Sequence, residues 1–218
     1  MINKLKQYKN SIMAGMSISL GAFAYLITLQ KTNNPFIASM MFYTGLSLVL
    51  IFGFDLFTGQ VLGLKTNTYT QQYFSSSRIS TKEYIKTLSK TWIGNLIGSV
   101  ITTILLFQVL HPNVEQMINT KLSLNPIQLL VGGIACNFLV CCAVANYKMY
   151  QNHLISGFFI TVFVICGFLH CIADMTYFTL AICSGMNLDI VKVIMYMVLV
   201  TLGNVCGGLL LYLVKKQI

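Results

Sequence analysis

Phe158-Phe159-Ile160-Thr161-Val162-Phe163-Val164-Ile165-Cys166-Gly167-Phe168-Leu169-His170-Cys171-Ile172-Ala173-Asp174-Met175 reads as a membrane segment with an ionisable side chain inside it. Phe158 to Phe168 is almost wholly apolar, and another apolar run follows Asp174. An ionisable group at bilayer depth is costly, so it faces a protein-lined cavity and marks a path for protons, ions or substrate. His170 is the first functional candidate. The competing reading is a neutral histidine hydrogen-bonded between helices for packing, and the rest of the chain has to decide between the two.

Of the 218 residues, 56% are hydrophobic and 9% are charged, with a mean hydropathy of +0.75. A water-facing surface needs far more charge, so the expected fold class is an all-α integral membrane protein. Six apolar segments can be drawn, at residues 11–29, 36–54, 91–110, 127–146, 154–168 continuing past His170, and 190–214. Each is near the roughly 20 residues that cross a bilayer core. The longest polar stretch, 65–90, is too short to bury a core of its own, so residues 1–218 are expected to form a single transmembrane domain.

A net charge of +9 raises nucleic acid as a partner, but its distribution argues for the lipid bilayer instead. With a cytoplasmic N-terminus, eleven basic residues fall on one side: Lys4, Lys6, Lys9, Lys65, Arg78, Lys82, Lys86, Lys90, Lys148, Lys215 and Lys216. Only three, Lys31, Lys121 and Lys192, fall on the other. The positive-inside rule then sets six spans with both termini cytoplasmic, in the inner (plasma) membrane of a cell. Met1 to Asn10 is basic and lacks a small-residue cleavage site, and it is read as the start of the mature chain. The seven cysteines lie within or at the ends of apolar spans without a C-x-x-C, so they are expected to pack helices rather than to hold a metal or cofactor.

The two halves, about 1–110 and 111–218, resemble each other. Gly94-Asn95-Leu96-Ile97-Gly98 recurs as Gly203-Asn204-Val205-Cys206-Gly207, 109 residues later. Gly53-Phe54-Asp55-Leu56 has a counterpart in Gly167-Phe168-Leu169-His170, 114 residues later. Three spans per half is an odd number, so the second half must be inserted upside down. Inverted repeats place a substrate path at their interface, often lined by interrupted helices. Breaks are expected within Gly53–Gln60 and at His170–Asp174, with Asp55 as a capping residue. The small residues Gly94, Gly98, Gly203, Gly207 and Gly208 let helices approach closely, and Asn95 and Asn204 bond across them.

Taken together, these segments resemble the formate/nitrite transporter family of pentameric anion channels. The resemblance is carried by Gly53-Phe54-Asp55-Leu56-Phe57-Thr58-Gly59, Thr91-Trp92-Ile93-Gly94-Asn95-Leu96-Ile97-Gly98 and Ala135-Cys136-Asn137-Phe138-Leu139-Val140-Cys141-Cys142-Ala143-Val144. Gly167 to Met175 and Leu202-Gly203-Asn204-Val205-Cys206-Gly207-Gly208 complete it, in the family's order and spacing. The resemblance implies an aquaporin-like protomer with six transmembrane helices, an inverted 3+3 repeat and broken second and fifth helices, assembled as a homopentamer. By position it implies His170 as the central histidine and Thr58 as the pore threonine on the opposing broken helix. Phe42 and Phe163 would narrow the periplasm-facing side, and Leu46, Leu56 and Phe57 the cytoplasmic slit. Without the family, Phe42 and Leu46 are ordinary apolar helix residues.

Two departures stand out. Where the resemblance leads one to look for a vestibule lysine, eighteen residues before His170, the chain has Asn152, with His153 beside it and Lys148 four residues earlier. By the same resemblance an asparagine is looked for where the chain has Asp174, and a glutamate where it has Leu169. Asp174 and Asn137 are carried as neighbours of the pathway. An ionised Asp174 facing His170 would favour imidazolium; a protonated one would only replace the asparagine's hydrogen bonds.

A bare anion loses several kcal/mol or more on entering an apolar constriction, and its neutral acid far less. The expected function is therefore a channel for small monovalent weak-acid anions and a proton, of the nitrite, formate or hydrosulfide class. The anion would be protonated at or through His170, which titrates near 6.5 when unperturbed. The alternatives are a pore for neutral solutes, disfavoured by the lack of duplicated Asn-Pro-Ala boxes, and a membrane-embedded thiol oxidoreductase. The lack of C-x-x-C, G-x-S-x-G and H-E-x-x-H argues against an enzyme.

Overall fold

A proline at the first position of a helix forfeits no hydrogen bond, and an asparagine before it satisfies the free N–H groups of the first turn. Asn34-Pro35 and Asn125-Pro126 both start helices this way. The Asn34 side chain accepts from the N–H of Phe36 and Ile37, and Asn125 forms a capping box with Gln128. The computed structural model describes residues 2–66 and 80–216. Those residues form α1 (Ile2–Thr32), α2 (Pro35–Phe52), α3 (Phe57–Thr66), α4 (Thr81–Phe107) and α5 (Glu115–Leu122). They continue as α6 (Pro126–Tyr150), α7 (His153–Ile165), α8 (Cys171–Cys183) and α9 (Ile190–Lys216), with no strand among the described residues.

Five of these helices, α1, α2, α4, α6 and α9, are long and apolar enough to cross a membrane, and α7 and α8 are shorter apolar helices. The surface is that of a multi-pass membrane protein. Leu154 is 84% and Val109 77% exposed, while Thr58, Asn95, Asn137, His170, Asp174 and Asn204 are buried. Apolar outside and polar inside is the arrangement expected when lipid replaces water.

Two helices start well ahead of their apolar segments, α1 at Ile2 where residue 11 was expected, and α4. α4 begins at Thr81, ten residues before the expected span, because Ser80 caps it by accepting from Glu83 N–H. Apolarity marks where a helix meets lipid, whereas caps mark where it starts. Residues 67–79, with Arg78, lie outside the described residues, as do the side chains of Lys4, Lys6, Lys65, Lys215 and Lys216. α5 is a short helix that no apolar segment announced.

α1 packs along α2 and α4, and α6 packs along α7 and α9. Backbone approach is close enough at two related glycines that a Cβ on Gly98 would collide with Ile12 O, and one on Gly207 with Ile134 O. The breaks are related too. Gly53 and Gly167 end α2 and α7 in the left-handed region, at φ 65° and 69°. Phe54 N–H then reaches Val49 O and Phe168 N–H reaches Phe163 O, both at 3.0 Å, the six-to-one bond of a Schellman motif. Both breaks are shorter or earlier than expected. The first spans residues 53–56, so Thr58, Gly59 and Gln60 are already helical. The second spans 166–170, and Asp174 lies in the first turn of α8. A left-handed glycine stops each helix, and the next capped residue restarts it.

Candidate functional site

Backbone that leaves the helical pattern inside a membrane must find its hydrogen bonds within the protein. Two buried asparagines supply them. Asn95, on α4, accepts from Phe57 N–H at 2.9 Å and donates to Ser11 O at 2.7 Å and Asp55 O at 2.9 Å. Asn204, on α9, accepts from Cys171 N–H at 2.9 Å and donates to Leu169 O at 2.8 Å and Gly133 O at 2.9 Å. Asn137 braces the second from behind, its amide donating to Asn204 O at 2.6 Å. Asp55 does not hold the restart of α3 by itself: Asn95 takes Phe57 N–H, and the Asp55 carboxylate accepts from Gln60 Nε2 at 2.8 Å.

Held this way, the N-termini of α3 and α8 converge. Thr58 Oγ1 lies 3.0 Å from His170 Nε2, and both residues are buried. Each helix start carries a partial positive charge, so the meeting point suits an approaching anion or the polar end of an acid. Cys141 Sγ–H donates to Thr58 O at 3.5 Å, which ties α6 to the same point.

His170 is itself the N-cap of α8, its Nδ1 accepting from Ala173 N–H at 3.1 Å. An accepting Nδ1 carries no proton, so the ring's N–H is on Nε2 and points at Thr58 Oγ1. The imidazole in this pose is neutral and has no second proton to pass on. A relay through His170 requires the ring first to release Ala173 N–H.

Phe163 stacks on the His170 ring with centroids 5.8 Å apart, and Phe42 meets Phe163 edge-on at 5.6 Å. These three side chains form the floor of a cavity of about 1150 Å³ that opens toward Gln30, Asn113 and Lys121. Leu46, Leu56 and Phe57 are buried in the same core as Phe42 and Phe163 and do not line that cavity.

Three other candidates lie elsewhere. Asn152 caps α7 by accepting from Ile155 N–H, and His153 Nδ1 lies 2.8 Å from Tyr43 OH on an exposed face. Lys148 is in the last turn of α6, within the field of Asp55. None of the three is among the described residues lining the cavity. The cavity's cation is Lys121 of α5, whose Nζ lies 2.8 Å from Asp174 Oδ1. Tyr196 OH donates to Asp174 Oδ2 at 3.0 Å, and Lys121 Nζ sits 5.6 Å and 5.9 Å from the Tyr177 and Tyr196 ring centroids. Asp174 therefore turns to Lys121 and Tyr196. In the sequence Lys121 counted only as a flanking charge, and no spacing ties it to His170.

Comparisons with known proteins agree with this architecture. A family model described as "Formate/nitrite transporter" matches residues 2–216. An uncharacterised transporter of Saccharomyces cerevisiae is 27% identical over 222 residues, covering 92% of this chain, which spans only 34% of that protein's length. The nitrite transporter NirC of Salmonella typhimurium is 30% identical over 196 residues, covering 82% of this chain and 69% of its own. A solved structure described as a pentameric formate channel with formate bound superposes with a TM-score of 0.78 at 25% identity, covering 98% of this chain and 96% of that one.

Proposed function

Because the chain belongs to the formate/nitrite transporter family, we propose that it is a channel for small monovalent weak-acid anions. The Thr58–His170 contact carries this reading: two helix N-termini meet under a cavity whose floor is Phe42 and Phe163. A weak acid reaching that floor meets aromatic rings that disfavour its ionised form by several kcal/mol. The acid takes its proton in the aqueous cavity and crosses neutral, its polar end turned in passing toward the Nε2–H of His170 and the hydroxyl of Thr58. On this reading the partners are the anion, a proton and the bilayer.

The same proposal extends to topology. The helices make six crossings, α2 with α3 and α7 with α8 each making one, as an inverted 3+3 repeat of residues 1–110 and 111–218. The cavity faces outward and both termini are cytoplasmic in a plasma membrane. The likeness to a pentameric channel supports a homopentamer with one pore per protomer.

Uptake of labelled formate into proteoliposomes at pH 5.5 and 7.5 tests the reading, with nitrite, hydrosulfide, lactate and glycerol as competitors. Competition by the small weak acids alone is the expected result. Uptake indifferent to them but blocked by glycerol would instead mean a pore for neutral solutes.

A further inference from the structure

The outer cavity has an unusual balance of charge. Among the described residues lining it, Lys121 is the one cation, while Glu115 and Asp174 are both acids. Asp174 is 1% exposed, and Lys121 13%, so the pair is shielded from water where charges act over longer range. Both carboxylate oxygens face partners, Oδ1 the ammonium and Oδ2 the Tyr196 hydroxyl. Tyr177 of α8 packs on the ammonium, and Cys136 of α6 and Cys171 of α8 lie within the field of Asp174. His170, one turn before Asp174, is neutral in this pose and adds no charge.

A lone lysine beside the cavity would enrich anions in front of His170. Paired at 2.8 Å, it presents a dipole, whose field dies away over a much shorter distance. With Glu115 added, the charged side chains of the lining offer an anion no net attraction. Such a cavity hardly affects an acid that is already substantially neutral in bulk water. It penalises an acid that is almost wholly ionised there and depends on being concentrated at the pore mouth.

We propose that Asp174 neutralises Lys121 and so tunes the channel toward acids that are substantially protonated at neutral pH, the hydrosulfide class, over the almost fully ionised formate and nitrite class. This rests on the weak-acid channel reading above. Asp174 acts through Lys121 and is a positioning residue in this scheme, with no contact to the passing acid required.

The test is the ratio of formate to hydrosulfide flux at pH 7 in proteoliposomes holding the full chain. Asp174→Asn frees the lysine and should raise that ratio about tenfold, equivalent to ~1.4 kcal/mol. The rise should shrink at high ionic strength, which a purely structural change would not do. Lys121→Met leaves the acids in charge and should lower the ratio, while Lys121→Met with Asp174→Asn together should restore it. If Asp174→Asn does not assemble, Lys121→Met and the double variant carry the same opposite-sign test. Ratios within about twofold of the parent in the variants that assemble would overturn the charge proposal alone. A parent protein that carries neither substrate would overturn the channel reading as well.

Discussion

The two helix breaks are built alike and finished differently. At both, a left-handed glycine ends the first helix, a Schellman bond closes it, and an asparagine 38 or 33 residues beyond the restart bonds the loose backbone. The residue at the restart differs most in its chemistry. Leu56 before α3 offers no side-chain acceptor, whereas His170 before α8 caps the helix with Nδ1 and still directs Nε2 at Thr58. The backbone bonding is alike at the two junctions and the chemistry is not. Like bonding holds both junctions, and the position before α8 is free to supply the polar group that Thr58 of α3 meets.

The largest effect should come from breaking the shared scaffold. Asn204→Ala strands Cys171 N–H and Leu169 O, and Asn95→Ala strands Phe57 N–H and Asp55 O; Gly133 O and Ser11 O, inside helices, lose only a second donor. At ~1–3 kcal/mol for each buried orphan, each substitution should cost of order 4 kcal/mol and most of the folded protein. Size-exclusion yield and thermal midpoint in detergent measure this, and tolerance at one site alone would break the equivalence of the two junctions.

Making the second junction like the first comes next. His170→Leu removes a cap worth about 1 kcal/mol and the polar group between the helix starts, so formate flux should fall at least about tenfold. His170→Asn sharpens the comparison, because asparagine can both cap α8 and donate to Thr58. Flux should still rise as pH falls, since the neutral fraction of the substrate grows. A pH profile flattened by His170→Asn would restore the histidine relay.

Smaller effects belong to the turns. Gly167→Ala and Gly53→Ala have open space for the added Cβ but positive φ, so each should cost ~1–2 kcal/mol by conformation alone. Equal shifts in thermal midpoint at the two sites would support the duplication. Thr58→Val, losing one buried hydrogen bond, should cost about 1 kcal/mol in the same assay.

Much of this was legible in the sequence. The 114-residue offset from Gly53 to Gly167 marked the glycines that end α2 and α7, although the second break was expected at 170–174 and falls at 166–170, and the 109-residue offset from Asn95 to Asn204 marked the bracing asparagines. Those signals survive because each needs a specific residue type: a glycine for a left-handed turn, an amide that both donates and accepts. The exact breaks were less legible, because composition around Thr58 and Asp174 does not say which residue restarts a helix. Lys121 was not legible as part of the site. It reaches His170's cavity through the placement of α5, a short helix that no hydropathy signal marks, and its pairing with Asp174 spans 53 residues of chain.

On the proposed mechanism the acid crosses neutral, past a histidine that keeps its cap. Proteoliposomes loaded with a pH-sensitive dye and given an inward formate gradient under an imposed membrane potential test it most directly. Internal acidification matched to formate uptake, at a rate insensitive to the potential, is the expected result. Formate uptake that follows the potential without acidification would mean that the bare anion crosses, and would contradict it.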